Sequence, residues 1–383
     1  MEPYLPNYLK GKNRRLVFDL LRERGQMSRA EITRDTGMSF PTAMKVVDAF
    51  LEKGLLVELD ETGPAAGAGR KGRLLRFEPG AYRAVGVECE GRFARVGLAD
   101  MAGGVQARET IELGDFARTR DLSPLAAAIR RMCAAANGAP VLGVCIGFPA
   151  NLDPDAAAIV SYAAMDIQQP TSFAQVFPAF WREVVLAVYL ENDANLASEG
   201  EAFLRRGAGG AANMLYLSIG SGCGGAVRLD GKLRRGARCR AGEVGAMLLQ
   251  PALGAPGRSA ARETLEDAVC LAALERRFGA ALRDGAQPGE ASAQAMRDYL
   301  CGPLSGAVYS LVMTLDVELC VLAGIVPGAL GMQLCTQVSE ALRAALPEST
   351  PVRVEPSVSA DAGVIGAAAT VFERSLDALL GSG

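Results

Sequence analysis

Glu191-Asn192-Asp193-Ala194-Asn195 stands directly after the apolar run Val185 to Leu190 and before a helical pattern that runs through Ala197 to Arg205. A carboxylate and an amide at the carboxyl end of a strand face the crevice in which open α/β sheets bind ligands, and both can hydrogen-bond a polyol. The next strand, Met214-Leu215-Tyr216-Leu217-Ser218, opens onto Gly220-Ser221-Gly222-Cys223-Gly224-Gly225. Lacking Cβ atoms, the glycines of that turn let backbone N–H groups approach an anion closely. A further acidic position, Glu243, follows in Gly236-Ala237-Arg238-Cys239-Arg240-Ala241-Gly242-Glu243-Val244-Gly245. Taken singly, Asn192 and Asp193 read as a helix cap, the glycine turn as a tight hairpin and Glu243 as a solvated loop charge. Their order and spacing point instead to a polyol site.

The same alternation of strand and helix extends towards the N-terminus. Ala84 to Glu88 and Ala94 to Leu98 read as a hairpin around Glu90-Gly91-Arg92, followed by a helix near Leu122 to Ala136 and a strand from Val141 to Ile146. At 383 residues the chain has room for two or three domains, and with half its residues hydrophobic and 22% charged it is globular rather than disordered. It contains no histidine. That excludes a Ser-His-Asp or Cys-His nucleophile pair, an imidazole base and any His-ligated zinc, leaving acid–base work to carboxylates, Lys, Cys or Tyr. The nine cysteines are scattered with no C-x-x-C pair, so they read as reduced core thiols. The most apolar stretch, Tyr309 to Met332, carries Asp316 and Glu318 and reads as core rather than as a membrane span. The polar, basic start has no signal-peptide pattern, so the expected location is cytoplasmic, with no membrane partner.

Residues 1–80 hold 14 Lys plus Arg against 11 Asp plus Glu, a basic head on an acidic body. Leu16, Val17, Leu20 and Leu21 form the apolar stripe of a first helix ending at Gly25. Ser28 and Glu31 form a capping box that starts a second, short helix burying Ile32. After Thr36-Gly37-Met38, Ser39 caps a third helix that tolerates Pro41 in its first turn and buries Val46, Val47, Phe50 and Leu51. A longer helix followed by two short ones across a tight glycine turn is the helix-turn-helix arrangement. It turns Ser39, Phe40, Thr42, Met44 and Lys45 towards a DNA major groove. Leu56 to Leu59 and Arg73 to Phe77 flank a Gly/Ala/Pro-rich loop as a wing, with Arg70 and Lys71 at its tip able to reach phosphates. A three-helix module that docks another protein is the competing reading of this head.

With these residues in view, the whole chain resembles the transcriptional regulators of the ROK (repressor, open reading frame, kinase) family. The head resembles their winged helix-turn-helix through S-R-A-E-I-T-R-D-T-G-M-S-F-P-T-A-M-K-V-V and A-G-R-K-G-R-L-L-R-F. The body resembles their kinase-like domain through G-V-C-I-G-F-P-A-N-L-D, E-N-D-A-N, L-S-I-G-S-G-C-G-G, G-A-R-C-R-A-G-E-V-G and D-A-G-V-I-G-A-A. The resemblance implies an α/β fold: a winged helix-turn-helix over 1–78, then an actin-like (ribonuclease H-like) two-lobed sugar-kinase fold over 79–383. It further implies a sugar or sugar derivative between the lobes on Asn192, Asp193, Glu243 and Glu263, with Asp193 at the position of the base in kinase members.

The departures from the family pattern matter as much. Where kinase members hold phosphates with an Asp-x-Gly-Gly-Thr-Lys type turn, this chain has Glu88-Cys89-Glu90-Gly91-Arg92-Phe93, which sets a carboxylate against a triphosphate. Near Val321 to Ile325 the family's glycine-rich nucleotide contact is reduced. The usual histidine after the G-E-x-G stretch is replaced by Ala246, and the cysteines that normally follow are missing between Gly254 and Glu263, so no zinc and no cofactor are expected. The resulting expectation is a cytoplasmic regulator, a repressor in the first instance, that binds a double-stranded operator as a homodimer, with tetramers left open. An active sugar kinase with an attached DNA head and a ligand-independent DNA-binding scaffold are the alternatives.

Overall fold

In the computed structural model, which describes residues 6–59, 73–206, 210–249, 263–279, 282 and 288–380, Ser28 organises the start of the chain. Its Oγ accepts from the Glu31 N–H at 3.2 Å while Glu31 Oε2 accepts from the Ser28 N–H at 2.8 Å, so two helix-end donors are satisfied reciprocally. Both hydrogen bonds from Ser28 favour the charged form and hold the Glu31 carboxyl below its ordinary value. The head comprises helix α1 (Pro6–Arg24), strand β1 (Gln26–Ser28), helices α2 (Arg29–Thr36) and α3 (Phe40–Glu52), and strands β2 (Leu56–Glu58) and β3 (Leu74–Phe77). Gly37, at φ 67, closes α2, and the Ser39 side chain caps α3. The strands form one antiparallel sheet in the order β1-β3-β2. The pairing of β2 with β3 is the expected hairpin; three-residue β1 is too short to show in a hydrophobic pattern.

The buried stripe of α1 differs from the expected one. Val17, Phe18 and Leu21 are buried, whereas Leu16 is 43% exposed and Leu20 is half-buried. Phe18 stands edge-on to Phe50 at 6.5 Å and to Phe77 at 5.7 Å, filling the middle of the head. The helix is rotated because it also packs on the last helix of the body, Ala362–Leu379. There buried Arg14 donates to Leu380 O at 2.9 Å, and Arg15 pairs with Glu373 at 2.6 Å.

The body contains two five-stranded mixed sheets. The first is built from β4 (Arg83–Glu90), β5 (Phe93–Asp100), β6 (Val105–Glu112), β7 (Val141–Phe148) and, after a small sheet of β8 (Asn151–Asp153), β9 (Ala158–Ser161) and β10 (Thr171–Ser172), β11 (Val188–Asn192). The second uses β12 (Met214–Ile219), β13 (Cys223–Leu229), β14 (Lys232–Arg234), β15 (Leu319–Ala323) and β16 (Arg353–Pro356). The orders β11-β7-β4-β5-β6 and β14-β13-β12-β15-β16 are the same motif: an antiparallel three-strand meander with two parallel strands beside its first strand. Each lobe has its own core, with Phe148, Phe173, Phe177 and Phe180 clustered in the first and Leu215, Leu217, Leu304 and Val308 in the second. The carboxyl ends of β7, β11 and β12 therefore open between the lobes.

The apolar stretch from Tyr309 divides as its charges require: the helix Glu290–Leu315 ends at Asp316, which adopts φ 52, and β15 follows. Among the described residues no helix is long and apolar enough to cross a membrane. All nine cysteines are unpaired and six are buried.

Two helices bind the lobes. Asp193–Leu204 and Ala362–Leu379 touch backbone to backbone: a Cβ on Gly200 would fall 1.8 Å from Ala362 O, and one on Gly366 1.9 Å from Leu196 O. No side chain fits there. Gly366→Ala is expected to lower stability by about 3 kcal/mol or more, at the upper end of over-packing costs, as read from the urea midpoint. Gly306→Ala, in a helix where a new Cβ meets nothing within 4 Å, is expected to be neutral or stabilising. Equal costs at both positions would contradict the close approach.

Candidate functional site

Asn192 and Asp193 reach the space between the lobes because β11 ends and the next helix begins on them. Asn192 Oδ1 caps that helix, accepting from the Asn195 N–H at 3.1 Å, and its amide donates to Ala150 O at 3.4 Å. Behind it, buried Glu191 accepts from Asn195 Nδ2 at 2.9 Å and from Arg235 Nε at 2.7 Å, so the charge beside the cap is paired. Asp193 Oδ1 accepts from the Ala194 N–H at 2.9 Å. Burial pushes the Asp193 carboxyl up to about 6 against the pull of that N–H, and the charges of Glu90 and Glu243 push the same way.

These side chains line a cleft of about 1010 Å³ with Asn151, Ser161, Arg240, Glu243 and Glu266. With its amide turned so that both ends are satisfied, Asn151 donates to Glu243 Oε1 at 2.6 Å and to Cys239 O at 3.2 Å, and accepts from Ser161 Oγ at 3.0 Å. Burial raises the Glu243 carboxyl above its ordinary value; Arg240 opposes this and Glu266 adds to it. The expected grouping of Asn192, Asp193 and Glu243 is present. Asn151 stands inside G-F-P-A-N-L-D, but its role depends on β8 and β9 folding over the cleft, which no local pattern reveals.

Glu263 is a correction. It lines a separate hollow with Met247, Tyr299 and Gly302, and its carbonyl accepts from the Leu249 N–H at 3.0 Å. Glu266 takes the place expected for it. Thr264 and Asp267 form a capping box at the start of the helix Leu265–Val269, and this phase turns Glu266 into the cleft, where Oε2 accepts from the Cys223 N–H at 2.8 Å. The T-L-E-D signature was the available signal.

A second cavity of about 390 Å³ adjoins the first, lined by Glu88, Glu90, Arg95, Tyr216, Gly324 and Gly363 among others. Arg95 Nε donates to Glu88 Oε2 at 3.0 Å, and its Nη2 lies 3.4 Å from Glu90 Oε2. Glu90 lines both cavities, and its Oε1 is 2.8 Å from where a Cβ on Gly220 would sit. The glycine turn Gly220 to Gly225, suited by sequence to cradle an anion, is thus met by two carboxylates of the protein itself, Glu90 and Glu266. Burial pushes the Glu88 carboxyl up to about 7; Arg95 opposes it, while Glu90 and Asp193 reinforce it.

On the head, Ser39, Phe40 and Lys45 are exposed and Thr42 is half-exposed. Met44 is a partial correction: it packs against the head core, because it lies one turn before Val47 on the buried side of α3. Arg70 and Lys71 lie outside the described residues, as do residues 254–262, one of the two places on which the expectation of no zinc rests; the other, Ala246, lies in the short helix Val244–Ala246. Among the described residues no group of three or more His, Cys, Asp and Glu side chains is arranged to hold a metal ion.

The model of the ROK family matches residues 84–374. The chain belongs to the ROK family. It is similar to a xylose repressor of Caldicellulosiruptor bescii, 27% identical over 241 residues that make up 62% of this chain and 58% of the repressor. It is also similar to a glucokinase of Halalkalibacterium halodurans, 33% identical over 35% of this chain and 40% of the enzyme. The matched region therefore spans less than two thirds of either relative. In fold, it is similar to a ROK family transcriptional regulator described as a homolog of the E. coli MLC protein, with a TM-score of 0.75 at 16% identity, covering 97% of this chain and 98% of that one. The two-lobed α/β body with its paired mixed sheets is thus the architecture of ROK proteins.

The raised pKa of Glu88 has a consequence for this ROK protein's stability. The folded state holds the Glu88 proton more tightly than the unfolded chain, so Glu88 weakens the fold as pH rises from the ordinary carboxylate range through about 7. Glu88→Gln is expected to raise the urea midpoint more at about pH 8 than at about pH 5. A gain of the same size at both would contradict the burial of that carboxyl.

Proposed function

We propose that this ROK protein is a sugar-responsive, DNA-binding transcriptional regulator, a repressor in the first instance, whose kinase-like body binds a sugar without phosphorylating it. The observation that carries this reading is the Arg95–Glu88–Glu90 cluster beside the Gly220 to Gly225 turn. Phosphoryl transfer depends on positioning the phosphates and cancelling their developing charge. Glu90 and Glu266 bring negative charge to the place where that cancellation is needed. The cleft above it keeps what a polyol requires: Asn192, Asp193, Asn151 and Glu243, each at hydrogen-bonding depth.

The head supports the DNA half of the reading. Two capped helices joined across Gly37, with a three-strand sheet behind them, suit a winged helix-turn-helix that lays α3 in the major groove. Similarity to a xylose repressor over 62% of the chain agrees with it. A homodimer on two half-sites in the cytoplasm is the arrangement such a head serves.

A sugar kinase is the second reading. It is favoured by Asp193, whose carboxyl at about 6 is poised to accept a hydroxyl proton near neutral pH, and by the similarity to a glucokinase. One paired experiment separates the two. The purified chain with magnesium and ATP is expected to release no ADP above background over a panel of pentoses and hexoses, while at least one sugar of the panel raises its melting temperature. Sugar-dependent ADP release would overturn the proposal in favour of the kinase; a panel without any thermal shift would leave a DNA-binding scaffold.

A further inference from the structure

The outward face of α3 is poor in the groups that usually read bases. Ser39, Phe40, Pro41, Lys45 and Asp48 are exposed there and Thr42 is half-exposed. None is Arg, Asn or Gln, the side chains that pair bidentately with guanine or adenine edges in the major groove. The two hydroxyls satisfy each other: Ser39 Oγ lies 2.8 Å from Thr42 Oγ1 and also accepts from the Thr42 N–H at 3.4 Å. Neighbouring guanidinium groups on α2 are held by carboxylates, Arg29 by Glu58 at 2.6 Å and Arg34 by Asp35 at 2.9 Å. Asp48 is an anion and would not approach a phosphate. Lys45 is a point charge, suited to a phosphate rather than to a planar base edge.

What remains is apolar. Phe40 is the first residue of α3 and is 56% exposed, while Met38 and Met44 on either side pack against the head core. The Ser39 cap and Pro41 fix the helix start on which the ring is mounted. The first residues of a recognition helix are the ones that reach base edges, and the one apolar group that a major groove offers is the C5-methyl of thymine.

We propose that Phe40 is the specificity-determining residue of the head, and that it recognises thymine by covering its C5-methyl group. Sequence preference then comes from methyl contact, while Lys45 supplies affinity without discrimination. This inference rests on the DNA-binding reading given above.

Deoxyuridine tests it, because it keeps every hydrogen-bonding group of thymidine and lacks only the methyl. The full chain is titrated by fluorescence anisotropy against a duplex carrying the DNA upstream of its own gene, and against the same duplex with every thymine replaced by uracil. Affinity is expected to fall at least about fourfold on the uracil duplex, roughly one methyl's burial for each contact. Phe40→Ala is expected to bind both duplexes alike, and Lys45→Ala to weaken both while keeping the ratio. A wild-type ratio within roughly twofold of one, less than a single covered methyl supplies, overturns the assignment to Phe40, as does a ratio that survives Phe40→Ala. Failure to bind either duplex at low ionic strength overturns the DNA-binding reading itself, and this assignment with it.

Discussion

The backbone contact between the helices Asp193–Leu204 and Ala362–Leu379 is the constraint around which this molecule is built. With Gly200 against Ala362 and Gly366 against Leu196, neither helix can shift without the other, because close-packed backbones have no side chains to rearrange. The first helix starts at the cleft, on Asn192 and Asp193, and carries Phe203 in its last turn. There the guanidinium of Arg22, from α1 of the head, lies 4.7 Å from the ring centroid. The second helix holds the head through Glu373 and, just past its end, the carbonyl of Leu380. Cleft and head are therefore joined through one packed block of two helices. Such a block is the physical element that a ligand-dependent change in DNA affinity needs.

The same fold hosts kinases and repressors, so function has to be argued from its sites. In this chain the proposed reading turns on a few charges. Glu90 and Glu266 both approach the glycine turn, at Gly220 and at Gly222 and Cys223, and Arg95 is tied to Glu88 and Glu90. The cleft beside it is lined by amides and carboxylates from β11, β8 and the Glu243 loop, the groups that the proposed sugar would meet. Carboxylates at the glycine turn beside a polar cleft are the arrangement on which the proposed sensor reading rests.

Much of this was legible in the sequence because it rests on local chemistry. Both head caps, the glycine that closes α2 and the β4–β5 hairpin follow from spacing and turn residues, whereas the strand expected over Val185 to Leu190 runs from Val188 to Asn192 and leaves Val185 exposed. What was not legible depends on distant partners. The stripe of α1 shifted to Val17, Phe18 and Leu21 because the helix meets Ala362–Leu379, hundreds of residues away. Position along the chain points to Glu263, but the phase of a one-turn helix set by Thr264 and Asp267 delivers Glu266. Asn151 enters the cleft through a small sheet too short to leave a periodic signal.

The central claim is that DNA binding and sugar binding are coupled in one chain that does no phosphoryl transfer. The most direct measurement is the affinity of the full chain for its own upstream duplex, taken with and without each sugar that shifts its melting temperature, in the absence of ATP. The account predicts a bound duplex whose affinity changes with at least one of those sugars. A duplex affinity indifferent to every sugar that binds the body would contradict it.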